Sequence, residues 1–127
     1  MNIVPKIALV GCGYWDKNLC RNFHELGALS AVIEATESGQ AIARSIAPDV
    51  NISLSFADVL SDEQIQGIAL ATPAETHAEL AIQAMRAGKD VFVEKPMALS
   101  INDAWTMQSV GNETGRILMV GHLLEYH

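Results

Sequence analysis

The residues that could do chemistry in this 127-residue chain begin with a glycine pair. Gly11 and Gly13, in the run G-C-G-Y-W-D, follow a short apolar segment and lead into a helical one. In that context Gly11 allows a tight turn, and Gly13 lets the backbone approach a pyrophosphate at a helix N-terminus, where unpaired amides favour an anion. Glu34 stands 21 residues after Gly13. That is close to the offset at which a carboxylate accepts hydrogen bonds from the adenine ribose hydroxyls of a dinucleotide. Ala35 and Thr36 follow it, with no Arg or Lys to receive a 2′-phosphate, so NAD is favoured over NADP. Asp16 occupies the position of the third glycine. Its carboxylate either stabilises the first turn of the helix or weakens the grip on the phosphates.

Such residues work only if the fold brings them to one edge. Short, mostly apolar runs at Lys6–Val10, Leu29–Glu34, Ile65–Ala71, Asp90–Val93 and Ile117–Val120 read as strands covered on both faces, with Asn51–Leu54 a weaker sixth. Between them lie helical patterns. Leu19, Cys20, Phe23 and Leu26 form one stripe, stopped by Gly27. Ser38–Ile46 is halted by Pro48, and Ser55–Leu60 is short. Thr76 with Glu79 forms a capping box opening a helix whose Leu80, Ala81, Ala84 and Met85 share a face, closed by Gly88. Ser100 with Asp103 opens another, ending near Gly115. Regular alternation of strand and helix implies parallel strands joined by crossover helices. The chain therefore reads as a single α/β domain over residues 1–127, a doubly wound parallel sheet. Ligand chemistry belongs at the carboxyl ends of its strands.

Composition narrows the partners. A formal net charge of −7, with eight basic residues spread along the chain, argues against nucleic acid. Met1–Pro5 carries no basic leader, and the apolar stretch Ile7–Val10 is too short for a signal core or a membrane span. The expectation is a cytoplasmic protein. Cys12 and Cys20 show no C-x-x-C spacing and read as reduced thiols, while His122 and His127 lack ligand partners at metal spacing. His24 reads as a solvated helix residue. Met85, Met97, Met107 and Met119, with Trp105, read as packing.

Three further motifs occur in order: A-T-P-A-E-T-H (Ala71–His77), A-G-K-D-V-F-V-E-K-P (Ala87–Pro96) and V-G-H-L-L-E-Y-H (Val120–His127). Together with G-C-G-Y-W they resemble the Gfo/Idh/MocA family of glucose-fructose oxidoreductase, inositol dehydrogenase and rhizopine-catabolism proteins, over essentially the whole chain. The E-K-P after a V-F-V strand is the most specific feature. G-C-G-Y-W with G-H-L-L looks like the members acting on nucleotide-linked sugars, such as UDP-N-acetylhexosaminuronate 3-dehydrogenases.

The resemblance implies roles residue by residue. Gly11, Gly13, Tyr14 and Trp15 match the pyrophosphate loop, and Glu34 matches the ribose reader. Thr72, Pro73 and His77 match the stretch lining the cofactor. Glu94 and Lys95 match the pair whose lysine contacts nicotinamide ribose and the reacting hydroxyl, and His122 lies toward the nicotinamide side. A cation suits that place because oxidising a secondary alcohol develops alkoxide charge. The implied activity is hydride transfer between NAD and a secondary hydroxyl of a sugar, nucleotide-sugar or polyol. Family members continue into a second α+β domain that carries the substrate pocket and a D-x-x-x-H pair, whereas this chain ends at His127. If 127 residues were the whole polypeptide, Lys95 alone would face an open, wet site and hydride transfer would be slow; if they are a piece of a longer chain, the parent is an oxidoreductase. The alternative is a non-catalytic dinucleotide-binding or self-association module; the same fold holding S-adenosylmethionine is a weaker third, since E-K-P has no role there. Apolar surface that a second domain would cover makes a homo-oligomer the expectation.

Overall fold

The computed structural model describes residues 6–11, 17–53, 55–94, 98 and 100–121. Six strands form one sheet: β1 (Ile7–Val10), β2 (Leu29–Ile33), β3 (Asn51–Ser53), β4 (Gly67–Leu70), β5 (Asp90–Glu94) and β6 (Leu118–Gly121). All neighbours pair in parallel, in the order β3-β2-β1-β4-β5-β6. The chain winds outward from β1 in one direction and from β4 in the other, so the two carboxyl ends that flank the reversal, those of β1 and β4, enclose a crevice. The doubly wound sheet read from the alternation is the fold observed.

Period-two alternation divides the strand residues between two faces. On the first, Ala8, Val10, Ile68, Leu70, Val91 and Val93 pack beneath three helices: α3 (Phe56–Ser61), α4 (His77–Arg86) and α5 (Ile101–Thr114). On the second, Leu9, Val32 and Ala69 pack beneath α1 (Lys17–Glu25) and α2 (Glu37–Ile46). Pairing between β1 and β2 skips a residue, with Ile7 opposite Leu29 but Ala8 opposite Ala31. The irregularity turns Leu29 to the second face beside Ile7.

That second face is closed over half the sheet only. Phe23 of α1 meets Phe92 of β5 edge-to-face at 6.2 Å. Beyond this contact, Phe92, Ile117 and Met119 line an apolar groove of about 280 Å³ with Ile7 and Phe23. The expectation that every strand is covered on both faces therefore fails at β5 and β6 among the described residues. Right-handed crossovers place both α4 and α5 on the first face there, and among the described residues the second face of β5 meets a helix through Phe23 of α1 while Met119 of β6 stays exposed.

Local signals explain where the helices begin and stop. Thr36, Ser55 and Ser100 cap α2, α3 and α5, accepting from the amides of Gly39, Asp58 and Asp103. The capping box proposed at Thr76 is not formed. A 3₁₀ turn at Ala74–Thr76 precedes α4, and the Thr76 hydroxyl donates to the Pro73 carbonyl at 2.6 Å instead of capping. Leu26 is also corrected, since it is exposed rather than part of the α1 stripe. The helix ends at Glu25, and Gly27, at φ +74°, reverses the chain so that the Ala28 amide donates back to Phe23. Met85 and Met107 are core residues, but Met119 and Trp105 are 55% and 70% exposed, because no described element packs over the sides they present. His24 is paired rather than free, with Nε2 2.8 Å from Asp49 Oδ1.

Lys89 breaks the rule that lysines stay in water. It is 5% exposed, and its ammonium donates to the carbonyls of Asp62 at 2.6 Å and Ile65 at 2.7 Å. These bonds tie the amino ends of β4 and β5 together, at the opposite edge from the crevice.

Candidate functional site

Gly11 follows β1 at the crevice. Its amide donates to Ile33 O at 2.8 Å, and the amide of Ala71, after β4, donates to Val10 O at 2.9 Å. The turn is thus stitched to both neighbouring strands. Gly11 has φ +90°, and a Cβ there would lie 3.1 Å from the Ala71 carbonyl carbon and oxygen and 3.3 Å from Thr72 Cγ2. The left-handed backbone strains any residue with a Cβ, and the tight approach of the chain after β4 adds to the preference for glycine. Gly11 thus has the backbone conformation expected where a phosphate-binding turn begins. Gly13, Tyr14 and Trp15, the remainder of the predicted phosphate loop, lie outside the described residues, as does Asp16.

Glu34 leaves the end of β2 with its side chain inside the protein, 9% exposed. Oε1 accepts from the amide of Thr36 at 3.1 Å and from its hydroxyl at 3.2 Å. Having given its proton to Glu34, the Thr36 hydroxyl oxygen accepts from the Gly39 amide at 3.0 Å and so caps α2. Gln40 Nε2 closes the corner by donating to Glu34 O at 2.9 Å. A buried carboxylate is costly unless hydrogen-bonded, and Thr36, two positions along the chain, supplies it with both an amide and a hydroxyl donor. No Arg or Lys takes part in these bonds. Thr36, Gly39 and Gln40 were not singled out in the sequence. The available signal was a Thr ahead of a helical pattern, together with a glycine in a first helical turn that needs a reason to be there.

Across the crevice, after β4, Thr72 and His77 build a turn. The His77 imidazole is 2% exposed and lies 2.8 Å from Thr72 O through Nε2. A carbonyl can only accept, so Nε2 carries the proton. Thr76 spends its one hydroxyl proton on Pro73 O, so Thr72 Oγ1, 2.7 Å away, donates to Thr76 Oγ1. His77 and both threonines therefore hold the shape of the loop Thr72–Pro73, which meets Gly11 through the Ala71 carbonyl before it and Thr72 Cγ2. Glu94 ends β5, half-buried, with its partner Gly121 on β6. Lys95 and His122, the residues assigned to the nicotinamide side, lie outside the described residues.

The strand order thus brings Gly11, Glu34, Thr72 and Glu94 to one edge of the sheet. The donor set fits an adenine dinucleotide: a left-handed glycine after β1, and a fixed carboxylate one strand away. Glu34 would hold ribose hydroxyls, and the backbone after Gly11 would hold the diphosphate. Among the described residues, no cluster of His, Cys, Asp and Glu could hold a metal ion, and no helix is long and apolar enough to cross a membrane.

Comparison with known proteins places this architecture. The chain matches the Gfo/Idh/MocA family, described as an oxidoreductase family with an NAD-binding Rossmann fold, over residues 5–122. It is 37% identical over 120 residues to 2,7-anhydro-N-acetylneuraminate hydratase of Mediterraneibacter gnavus, an alignment covering 94% of this chain and 32% of that protein. It is 31% identical to 4-carboxy-2-hydroxymuconate-6-semialdehyde dehydrogenase of Sphingobium sp., covering 96% of this chain and 39% of the relative. Among solved structures, biliverdin reductase of Synechocystis sp. PCC 6803, in complex with biliverdin and NADP⁺, superposes with a TM-score of 0.82 at 26% identity, over 93% of this chain and 38% of that one. The chain spans about a third of the length of these proteins. Family match, shared fold and the crevice at the sheet reversal agree: this chain belongs to the Gfo/Idh/MocA oxidoreductases and forms their NAD(P)-binding Rossmann domain.

Proposed function

We propose that this domain binds NAD in preference to NADP and serves an oxidoreductase that moves a hydride between the nicotinamide and a secondary hydroxyl of a sugar, nucleotide-sugar or polyol. The observation that carries the cofactor reading is Glu34. Its carboxylate is buried and held by Thr36 at the end of β2. A fixed negative charge there accepts hydrogen bonds from two ribose hydroxyls and repels a 2′-phosphate. The M. gnavus relative, named for an anhydro sugar acid, supports a carbohydrate substrate. The motifs G-C-G-Y-W and G-H-L-L support a nucleotide-linked one, of the UDP-N-acetylhexosaminuronate type.

Held by Glu34 and the segment after Gly11, NAD would supply an acceptor for the hydride that leaves the hydroxyl-bearing carbon. Lys95, in the E-K-P that follows β5, offers a cation to the hydroxyl oxygen as its proton departs and so stabilises the developing alkoxide. Glu34 binds and orients at the far end of the cofactor, and Thr72, Pro73, Glu94 and His122 line its path, while buried His77, singled out in the sequence as a cofactor residue, acts by holding the Thr72–Pro73 loop from within. Gly11, Gly13, Tyr14 and Trp15 support the diphosphate. A homo-oligomer belongs to the same proposal, supported by the open groove at Phe92, Ile117 and Met119 and by exposed Ile101 and Trp105 on α5. So does residence in the cytoplasm.

Fluorescence titration with NADH and NADPH tests the cofactor reading. NADH binds at least about tenfold more tightly, and Glu34→Ala costs about tenfold in NADH affinity while narrowing the preference, as expected for losing charge-assisted hydrogen bonds. Equal or tighter NADPH binding by the wild-type chain overturns the reading.

A further inference from the structure

We propose that Gly39 is a positioning residue for the cofactor, acting through Glu34: the missing side chain at position 39 is the space in which the Glu34 carboxylate is seated. A Cβ built on Gly39 would fall 2.3 Å from Glu34 Cδ, 2.4 Å from Cγ and 2.7 Å from Oε2. Three atoms of one side chain thus occupy the volume of a single methyl group. Heavy atoms do not approach this closely, so any residue but glycine at 39 forces Glu34 into another rotamer.

Glu34 cannot leave that rotamer and keep its partners. Oε1 is bound to both the amide and the hydroxyl of Thr36, and the same hydroxyl caps α2 through the Gly39 amide. Gly39 accordingly appears twice in the corner, once as a capped amide and once as an open volume. Glycine is a poor helix former, and it stands here in the first turn of α2, buried. Helix stability alone would favour alanine. The volume occupied by Glu34 supplies the reason for glycine. In functional terms, the length of the ribose-reading acid and the absence of a side chain five residues later are matched as a pair. This inference rests on the reading that Glu34 meets the adenine ribose.

A double-mutant cycle on the full 127-residue chain tests it, with two readouts. The first needs no cofactor. An amide held by a carboxylate exchanges its proton with solvent slowly, so in the wild-type chain the Thr36 amide, bound to Glu34 Oε1, resists hydrogen exchange. In Gly39→Ala it does not. The second readout is NADH affinity by fluorescence. Gly39→Ala weakens binding about tenfold, comparable to Glu34→Ala, while the double variant Glu34→Ala/Gly39→Ala binds no more weakly than Glu34→Ala alone, because truncating Glu34 removes all three obstructing atoms.

The double variant also folds at least as well as Glu34→Ala, which keeps the cycle readable if Gly39→Ala alone is unstable. Wild-type affinity in a folded Gly39→Ala, penalties that multiply in the double variant, or a Thr36 amide that still resists exchange in Gly39→Ala would each overturn the inference. If Glu34→Ala itself binds NADH as well as wild type, the ribose reading fails instead, and exchange of the Thr36 amide still decides whether Gly39 seats the carboxylate.

Discussion

On its second face the sheet is closed over β1, β2 and β3, where α1 and α2 bury Leu9, Val32 and Ala43, and open over β5 and β6, where Phe92, Ile117 and Met119 line a groove. The closed half also ends in the more self-sufficient loop: Glu34 finds its bonds within six residues of itself. The open half leads toward Glu94 and the segment carrying Lys95, where the substrate's chemistry is proposed. Binding of adenosine is thus assigned to the part that completes its own packing, and chemistry to the part that leaves apolar surface uncovered. The relatives, about three times as long, have chain to spare for that surface.

The largest effect that separates the halves is a matched pair of truncations. Leu19→Ala, on the buried side of α1, costs about 3 kcal/mol in urea denaturation by loss of buried methyls and the cavity left behind. Met119→Ala, on the same face of the sheet but 55% exposed, stays within about 0.5 kcal/mol. A large loss at Met119 would show that the groove is filled in solution. A smaller effect sharpens what fills it: Ile117→Ser combined with Met119→Ser shifts the chain to a smaller species in sedimentation velocity at high concentration. Unchanged sedimentation removes this face from the assembly.

The smallest effect concerns the tie between α1 and the turn after α2. The hydrogen bond from His24 is the main cause holding the Asp49 carboxyl below its ordinary range. A folded-state value below the unfolded one adds stability that is present above the ordinary carboxylate range and is lost as pH falls through the folded value. His24→Ala returns the Asp49 titration upward toward that range by carbon NMR, with little change in melting temperature because both groups are exposed to solvent. An unmoved titration would mean that the pair does not form.

Much of the architecture was legible because it rests on a pattern that repeats, short apolar strands alternating with capped helices. What could not be read depends on distance through space. Lys89 reads as a surface cation until Asp62 O and Ile65 O are seen around it. Gly39 reads as an indifferent helix residue until Glu34 is seen in its volume. Leu26 satisfies the α1 stripe in spacing, but the helix has already ended. Trp105 and Met119 have the composition of core residues, and composition does not say whether anything packs against them. Thr76 with Glu79 satisfied a capping pattern, yet the hydroxyl found a nearer acceptor in Pro73 O.

Lys89 has one more consequence. Its two recorded hydrogen bonds end on main-chain oxygens of Asp62 and Ile65, not on carboxylates. Those acceptors carry no net charge for dissolved ions to mask and no acidic group that mild acid would neutralise. The clamp at the entry ends of β4 and β5 therefore keeps its grip in brine and in vinegar-like acidity, conditions that loosen a surface pair such as His24 with Asp49.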